Sequence, residues 1–203
     1  MKLHTHPASP FSRKVEIALI ELDLDASTER VRTNPWQSTP EMLAANPLSK
    51  IPALLTDHGV SLFNSATICD YLDALDGRHR LLPNDLAQRA RALHRQALAD
   101  GMMEAGVVIL LNGMHKPERV HRTMVARSQA GIGRALDSLE LEAAGLSDGF
   151  DLGHIALVCA LDFLTVAKLV AWEREHPQLA SWLVTTRRRP SVARTEPASP
   201  PIT

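Results

Sequence analysis

Residues 46–55 read Asn46-Pro47-Leu48-Ser49-Lys50-Ile51-Pro52-Ala53-Leu54-Leu55. No regular helix runs through such a stretch, because proline removes a helix donor and its ring clashes with the preceding turn. The apolar run behind Pro52 has the length of one buried strand. Pro52 stands where that strand begins, a position that loses no ladder donor. Two readings of Pro52 are open at this level. A trans proline would only stop a preceding helix. A cis bond, which X-Pro linkages alone reach cheaply, would turn the Ile51 N–H and C=O outward as a free edge for an extended, peptide-like ligand.

The flanking chain alternates strand and helix patterns. Residues 2–6 are extended in character and bounded by Pro7. Ser9-Pro10 then opens a helix, with Ser9 as the cap and Pro10 in the first position, where its missing N–H is harmless. Phe11, Val15, Ala18, Leu19 and Leu22 recur on one helical face. Residues 28–31 read as a second strand and residues 40–45 as a short helix. Residues 53–56 and 60–62 read as a hairpin through Asp57-His58-Gly59. Residues 65–75 read as a helix with Ile68, Leu72 and Leu75 on one side. Residues 1–77 thus form a β-α-β-α-β-β-α unit. After a linker at 78–85, only helical patterns follow. They cover 86–111, loosened at Gly101 and Gly106, then 117–144, then a stretch from the cap Asp151 to Val170, and 177–188. The third is apolar on most sides and reads as the buried centre. Residues 197–203, Pro-rich, read as a disordered tail.

Composition narrows the function. The chain has 203 residues, with 22 Lys+Arg against 23 Asp+Glu. That balance lacks the basic excess of a nucleic-acid binder, and Arg187-Arg188-Arg189 is too short to change it. Aromatic residues, at 4%, are too few for base-stacking platforms. Cys69 and Cys159 both fall in apolar helical patterns, as small hydrophobes of a reducing compartment. No apolar run approaches a membrane span, and residues 1–4 carry no secretory pattern. A soluble cytoplasmic protein is expected. His4 and His6 share one strand face without a third ligand, so no metal is expected.

Three motifs in order carry a family resemblance. They are Ser9-Pro10-Phe11-Ser12-Arg13-Lys14-Val15, then Asn46-Pro47-Leu48-Ser49-Lys50-Ile51-Pro52, then Asn64-Ser65 opening the helix after the hairpin. With the all-helical second half and Arg189-Pro190-Ser191, the chain resembles the glutathione transferase family, in particular bacterial serine-type members of uncertain class. The resemblance implies a thioredoxin-like, glutathione-binding α/β domain over 1–77 and an all-α helical bundle over 86–196. It also implies a homodimer that detoxifies small hydrophobic electrophiles by conjugating glutathione, the co-substrate, with no other cofactor.

Conjugation needs a thiolate. A hydroxyl donor or the N-terminal end of a helix dipole lowers a thiol pKa. Ser9 offers both and is the expected catalytic residue, a donor to the sulfur and not a nucleophile; its plainer role is a helix cap. Ser12 is the competing hydroxyl. The resemblance carries glutathione contacts onto Ser9, Phe11, Lys50, Ile51, Pro52, Asn64 and Ser65. Pro52 is then cis, Ile51 pairs with the cysteinyl backbone, and Lys50 meets a carboxylate. Ser65 meets the γ-glutamyl carboxylate at a helix start. Asn64 stands where many relatives carry an acid, and Ser49 where they carry glycine. Asp100 and Glu104, one helical turn apart, are candidates for reaching the ligand's ammonium group across a dimer interface. The electrophile pocket is expected around Met102, Met103, Val107 and Trp36. His154 replaces the acid that usually closes the capping box begun by Asp151. Two rivals remain at this level. One is a glutathione-dependent isomerase or dehalogenase, and the other a non-catalytic binding or stress protein on the same fold.

Overall fold

The computed structural model describes residues 1–147 and 149–197; residues 198–203, most of the expected tail, lie outside the described residues. The chain begins with β1 (Lys2–Thr5), α1 (Pro10–Glu21), β2 (Glu29–Arg32) and α2 (Pro40–Ala45). It continues with β3 (Ala53–Leu55), β4 (Ser61–Phe63) and α3 (Ser65–Ala74). The sheet order is β2-β1-β3-β4, with β1 and β2 parallel and the other pairs antiparallel. Leu3 opposes Leu54, and both are fully buried.

Several boundaries differ from the sequence pattern by one residue, and three of them have a visible local reason. β2 starts at Glu29, because Thr28 bends back and its hydroxyl donates to the Leu24 carbonyl at 3.0 Å. β4 starts at Ser61, because Val60 still closes the turn, its N–H donating to Thr56 Oγ1 at 3.0 Å. α3 ends at Ala74, and Leu75, expected on the apolar side, is 44% exposed. The Leu75 N–H reaches only three residues back, to Leu72, so the last turn tightens and swings the side chain outward.

The helical half follows. Its segment 78–82 is pinned by buried Asp73, whose carboxylate accepts the N–H groups of Leu81 and Leu82, both at 2.8 Å. α4 (Leu86–Gly113) is capped by Asp85 and runs unbroken through Gly101 and Gly106, against the expected loosening. The pattern from 117 is split. A 3-10 turn at Pro117–Arg119 precedes α5 (Arg122–Glu142), which His121 caps through Nδ1. α6 (Leu152–Val166) is buried at every residue from 152 to 164 and is the centre of this half. It stops short of Val170, because Lys168 turns to φ 52 and sends the chain back. Gly153 lets α6 meet α4 closely, since a Cβ there would lie 2.6 Å from the Ala92 carbonyl oxygen. α7 (Pro177–Thr186) ends two residues before the expected 188, and a short α8 (Pro190–Ala193), which the pattern does not mark, follows it. No helix among the described residues is long and apolar enough to cross a membrane.

His154 does close the capping box. Its Nδ1 accepts the Asp151 N–H at 3.1 Å, while Asp151 accepts the His154 N–H at 3.0 Å. Burial pushes the Asp151 carboxyl upward, but the His154 hydrogen bonds and the Arg95 charge outweigh it and hold the group below its usual value.

One hydrophobic cluster runs from Leu3 through α1 and α6 to α7. Two buried cations cross it. Arg13 donates to Asp162 of α6 at 2.6 Å, and Lys14 to both oxygens of Asp100 on α4 at 2.7 Å. α1 is therefore held to the helical half by charge as well as by apolar contact.

Candidate functional site

The sheet register gathers the three motifs at one end. His4 opposes Ala53, and Ala53 opposes Phe63. The end of β1, the start of β3 and the end of β4 therefore share one edge. The Ser9 loop, the Ile51-Pro52 joint and Asn64-Ser65 project from these ends.

Ser9 has an extended backbone, and its Oγ accepts the Ser12 N–H at 3.2 Å. The bond uses a lone pair and leaves the hydroxyl proton uncommitted. Pro10 takes the first helical position. Ser12 is fully buried, and among the described residues its Oγ has no partner. The competing hydroxyl is thus sealed in the core, while Ser9 is half-buried at the helix mouth. Phe11 is half-buried and packs on the core cluster.

The Ile51-Pro52 bond is cis. Among the described residues, neither the N–H nor the C=O of Ile51 is used by another backbone group. The loop before it is held by Asn46, which is 2% exposed. Its Nδ2 donates to the Lys50 carbonyl at 2.7 Å and its Oδ1 accepts the Leu48 N–H at 3.0 Å. In the sequence Asn46 stands out only as part of a motif. Its signal was the Asn-Pro pair, since an asparagine side chain often bonds the backbone two residues on. Ser49 takes the left-handed conformation, φ 51, without being glycine, and its hydroxyl meets Ser38 Oγ at 2.9 Å. Lys50 is exposed and has no ion pair among the described residues.

Asn64 caps α3 at φ 70, its Oδ1 accepting the Ala66 N–H at 2.9 Å. Asparagine tolerates positive φ better than most residues. The second lone pair of Oδ1 stays available. Ser65 is 3% exposed, and its hydroxyl has no hydrogen-bond partner among the described residues.

Other expected positions fall differently. Asp100 is committed to Lys14 and also accepts from Gln96 at 3.2 Å, so it is not free to reach a ligand across an interface. Glu104 is exposed on α4. Met102 and Met103 are buried in the core. Val107 is half-buried, and Trp36 is 55% exposed. His4 is buried and its Nδ1 meets Thr33 Oγ1 at 3.0 Å. Cys69 and Cys159 are fully buried, and burial pushes both thiols up to about 12.

A cavity of about 840 Å³ lies in the helical half, bordered by Phe150, Trp182, Pro177 and Arg189. It shares no residue with the Ser9 surroundings. Its one charged group, Arg189, is held by Glu21 at 2.7 and 2.6 Å. Size alone does not make it the site; the convergent polar groups are at the sheet edge.

Comparison with known proteins bears on the family and the fold. Residues 8–75 match the family model described as glutathione S-transferase, N-terminal domain. The chain is 31% identical to the uncharacterized GST-like protein YibF of Escherichia coli K12, over 97% of this chain and 98% of that protein. A crystal structure of a glutathione transferase family member from Pseudomonas fluorescens Pf-5 with bound glutathione superposes with a TM-score of 0.90. It is 36% identical and covers 97% of this chain and 98% of its own. Maleylacetoacetate isomerase of Pseudomonas aeruginosa is 36% identical over 45% of this chain and 44% of its own. A thioredoxin-like sheet, a helical second half and this likeness along the whole chain place the protein in the glutathione transferase family.

Proposed function

We propose that this protein is a transferase that conjugates the glutathione thiolate to small hydrophobic electrophiles, with Ser9 as the residue that stabilises the thiolate. The observation that carries this reading is the state of Ser9. Its hydroxyl sits at the start of α1 with its proton uncommitted, so it donates to a sulfur while the helix dipole favours the anion. Ile51 offers its free N–H and C=O to the cysteinyl backbone, next to Pro52, and Phe11 contacts glutathione beside Ser9. Lys50 meets the glycyl carboxylate as a point charge. Ser65 binds the γ-glutamyl carboxylate through its hydroxyl and the first N–H groups of α3. Asn64 offers its remaining lone pair to the ammonium group, a neutral acceptor where a carboxylate would bind more strongly. In the homodimer we propose, Glu104 is the acid left to supplement it from the partner. Residues 1–77 then act as the glutathione domain and 86–196 as the electrophile domain.

In a substitution the thiolate forms the S–C bond as the leaving group departs with its electron pair. In an addition the displaced π pair takes a proton from water. A second reading, glutathione-dependent isomerisation, is favoured by the likeness of part of the chain to maleylacetoacetate isomerase; it uses the same thiolate but releases glutathione unchanged.

Calorimetric titration with glutathione, paired with turnover of Ser9→Ala, tests the proposal. A hydrogen bond to a charged group is worth about 1.5–3 kcal/mol, so conjugation should slow by between about tenfold and about a hundredfold. Glutathione affinity should change far less. No binding at millimolar glutathione, or an alanine variant that conjugates as fast, would refute it. A stoichiometric conjugate separates conjugation from isomerisation.

A further inference from the structure

α4 carries glycines at 101, 106 and 113. A Cβ added at Gly101 or Gly113 would meet nothing within 4 Å. At Gly106 it would lie 2.7 Å from Cε1 of Phe163 and 3.0 Å from Cδ1 of Leu169. Glycine is a poor helix former, so its presence inside a long helix calls for a packing reason, and the Phe163 ring supplies one. The end of α6 brings both side chains there. Lys168 turns to φ 52, and the Leu169 N–H returns to the Leu164 carbonyl at 3.0 Å. That closure folds Leu169 back beside Gly106, as a helix C-cap with an apolar contact does.

Phe163 also borders the small cavity beside Ser9. Its neighbours there include Ala8, Pro10, Cys159, Val166 and Pro197. The cavity has a volume of only about 10 Å³, room for about one water molecule. Arg13 reaches this wall as well, but its charge is held by Asp162. Cys159, a thiol raised to about 12 by burial, is an inert part of it.

We propose that Phe163, seated on Gly106, is the closed end of the electrophile pocket and restricts the enzyme to small electrophiles with a terminal, unhindered reacting carbon, such as short alkyl halides and acrylates. This rests on the reading of Ser9 as the thiolate donor. Such a carbon reaches the sulfur without entering the space the ring fills, whereas a nitroaryl ring has no room. With an acrylate, sulfur bonds the terminal carbon, the π pair moves to the adjacent carbon, and water supplies its proton. With an alkyl halide, the halide leaves with the bonding pair. Phe163 acts on specificity and touches the substrate; Gly106 is a positioning residue that acts through it.

Thioether conjugates test this without turnover. The full chain is titrated calorimetrically with glutathione, S-methylglutathione and S-(dinitrophenyl)glutathione. The wild type should bind the methyl conjugate at least about tenfold more tightly than the dinitrophenyl one. Phe163→Ala should narrow that ratio to about threefold or less, and the milder Phe163→Leu should fall between, which covers the case of an alanine variant that does not fold. Gly106→Ala should push the ring into the space and weaken the methyl conjugate. A wild type that binds both conjugates equally, or folded Phe163 variants that leave the ratio unchanged, would overturn the pocket assignment and leave the glutathione reading standing. Failure to bind glutathione itself would overturn both.

Discussion

Asp162 is the most informative position to perturb. Its carboxylate, 2% exposed, accepts Arg13 Nη1 at 2.6 Å and Arg187 Nε at 2.8 Å. The two arginines are not equivalent. Arg13 is 4% exposed, while the Arg187 side chain is 42% exposed. In Asp162→Ala, Arg187 turns to water at little cost. Arg13 cannot, because α1 and α6 close over it. Removing one partner of a buried pair costs about 3–5 kcal/mol. At about 2–4 °C per kcal/mol for a chain of this size, the melting temperature should fall by about 6–20 °C. Arg13→Met combined with Asp162→Leu should recover most of the loss, since buried pairs are replaced by apolar residues at little net cost. Urea unfolding of the wild type, the single variant and the double variant, followed by tryptophan fluorescence, measures the coupling. A single-variant loss below about 1 kcal/mol would mean the pair contributes no more than a surface ion pair. A double variant as unstable as the single one would show that apolar packing around Asp162, and not the stranded charge, sets the cost.

Three further outcomes follow from the geometry. Ser49→Gly should stabilise the fold by up to about 1 kcal/mol in thermal unfolding, because glycine occupies φ 51 without the Cβ penalty while the exposed bond to Ser38 is weak. Asp73→Asn should cost about 1–3 kcal/mol and speed amide exchange at Leu81 and Leu82, because an amide offers one oxygen where two N–H groups need acceptors. Burial holds the His4 pKa below 6.5, so protonation favours the unfolded chain. Its contribution is full above about pH 6.5 and is lost as pH falls through the lower folded value. His4→Asn should flatten that part of the stability–pH curve. Its Nδ1 donates to Thr33 Oγ1, whose own proton goes to the Val31 carbonyl at 3.1 Å, and the asparagine amide can replace that donor.

Much of the fold was legible because its signals are local. Ser9-Pro10 and Asp151 start helices through side chains within three residues of the groups they cap. The buried cations were not legible. Arg13 and Lys14 sit in the first helix as residues that would normally be solvated, and their partners lie 149 and 86 positions away. The same distance in sequence misplaced Asp100. Its spacing from Glu104 is that of a shared exposed face, and only the packing of α1 against α4 reveals that a lysine claims it. The burial of Met102 and Met103 was not legible for a related reason. Periodicity puts them on a helix face but does not say whether that face meets a pocket or a core.

By itself, then, the sequence determined the element types, the caps at Ser9 and Asp151, and the family likeness. Each depends on chemistry within a turn or two of chain. Tertiary structure alone decided which of two serines keeps its hydroxyl exposed, which acids are free, and that Gly106 of α4 meets Phe163 of α6 next to Ser9. Those are outcomes of burial and of charge pairing between distant segments. Close packing gives each side chain one environment, and no local pattern encodes it.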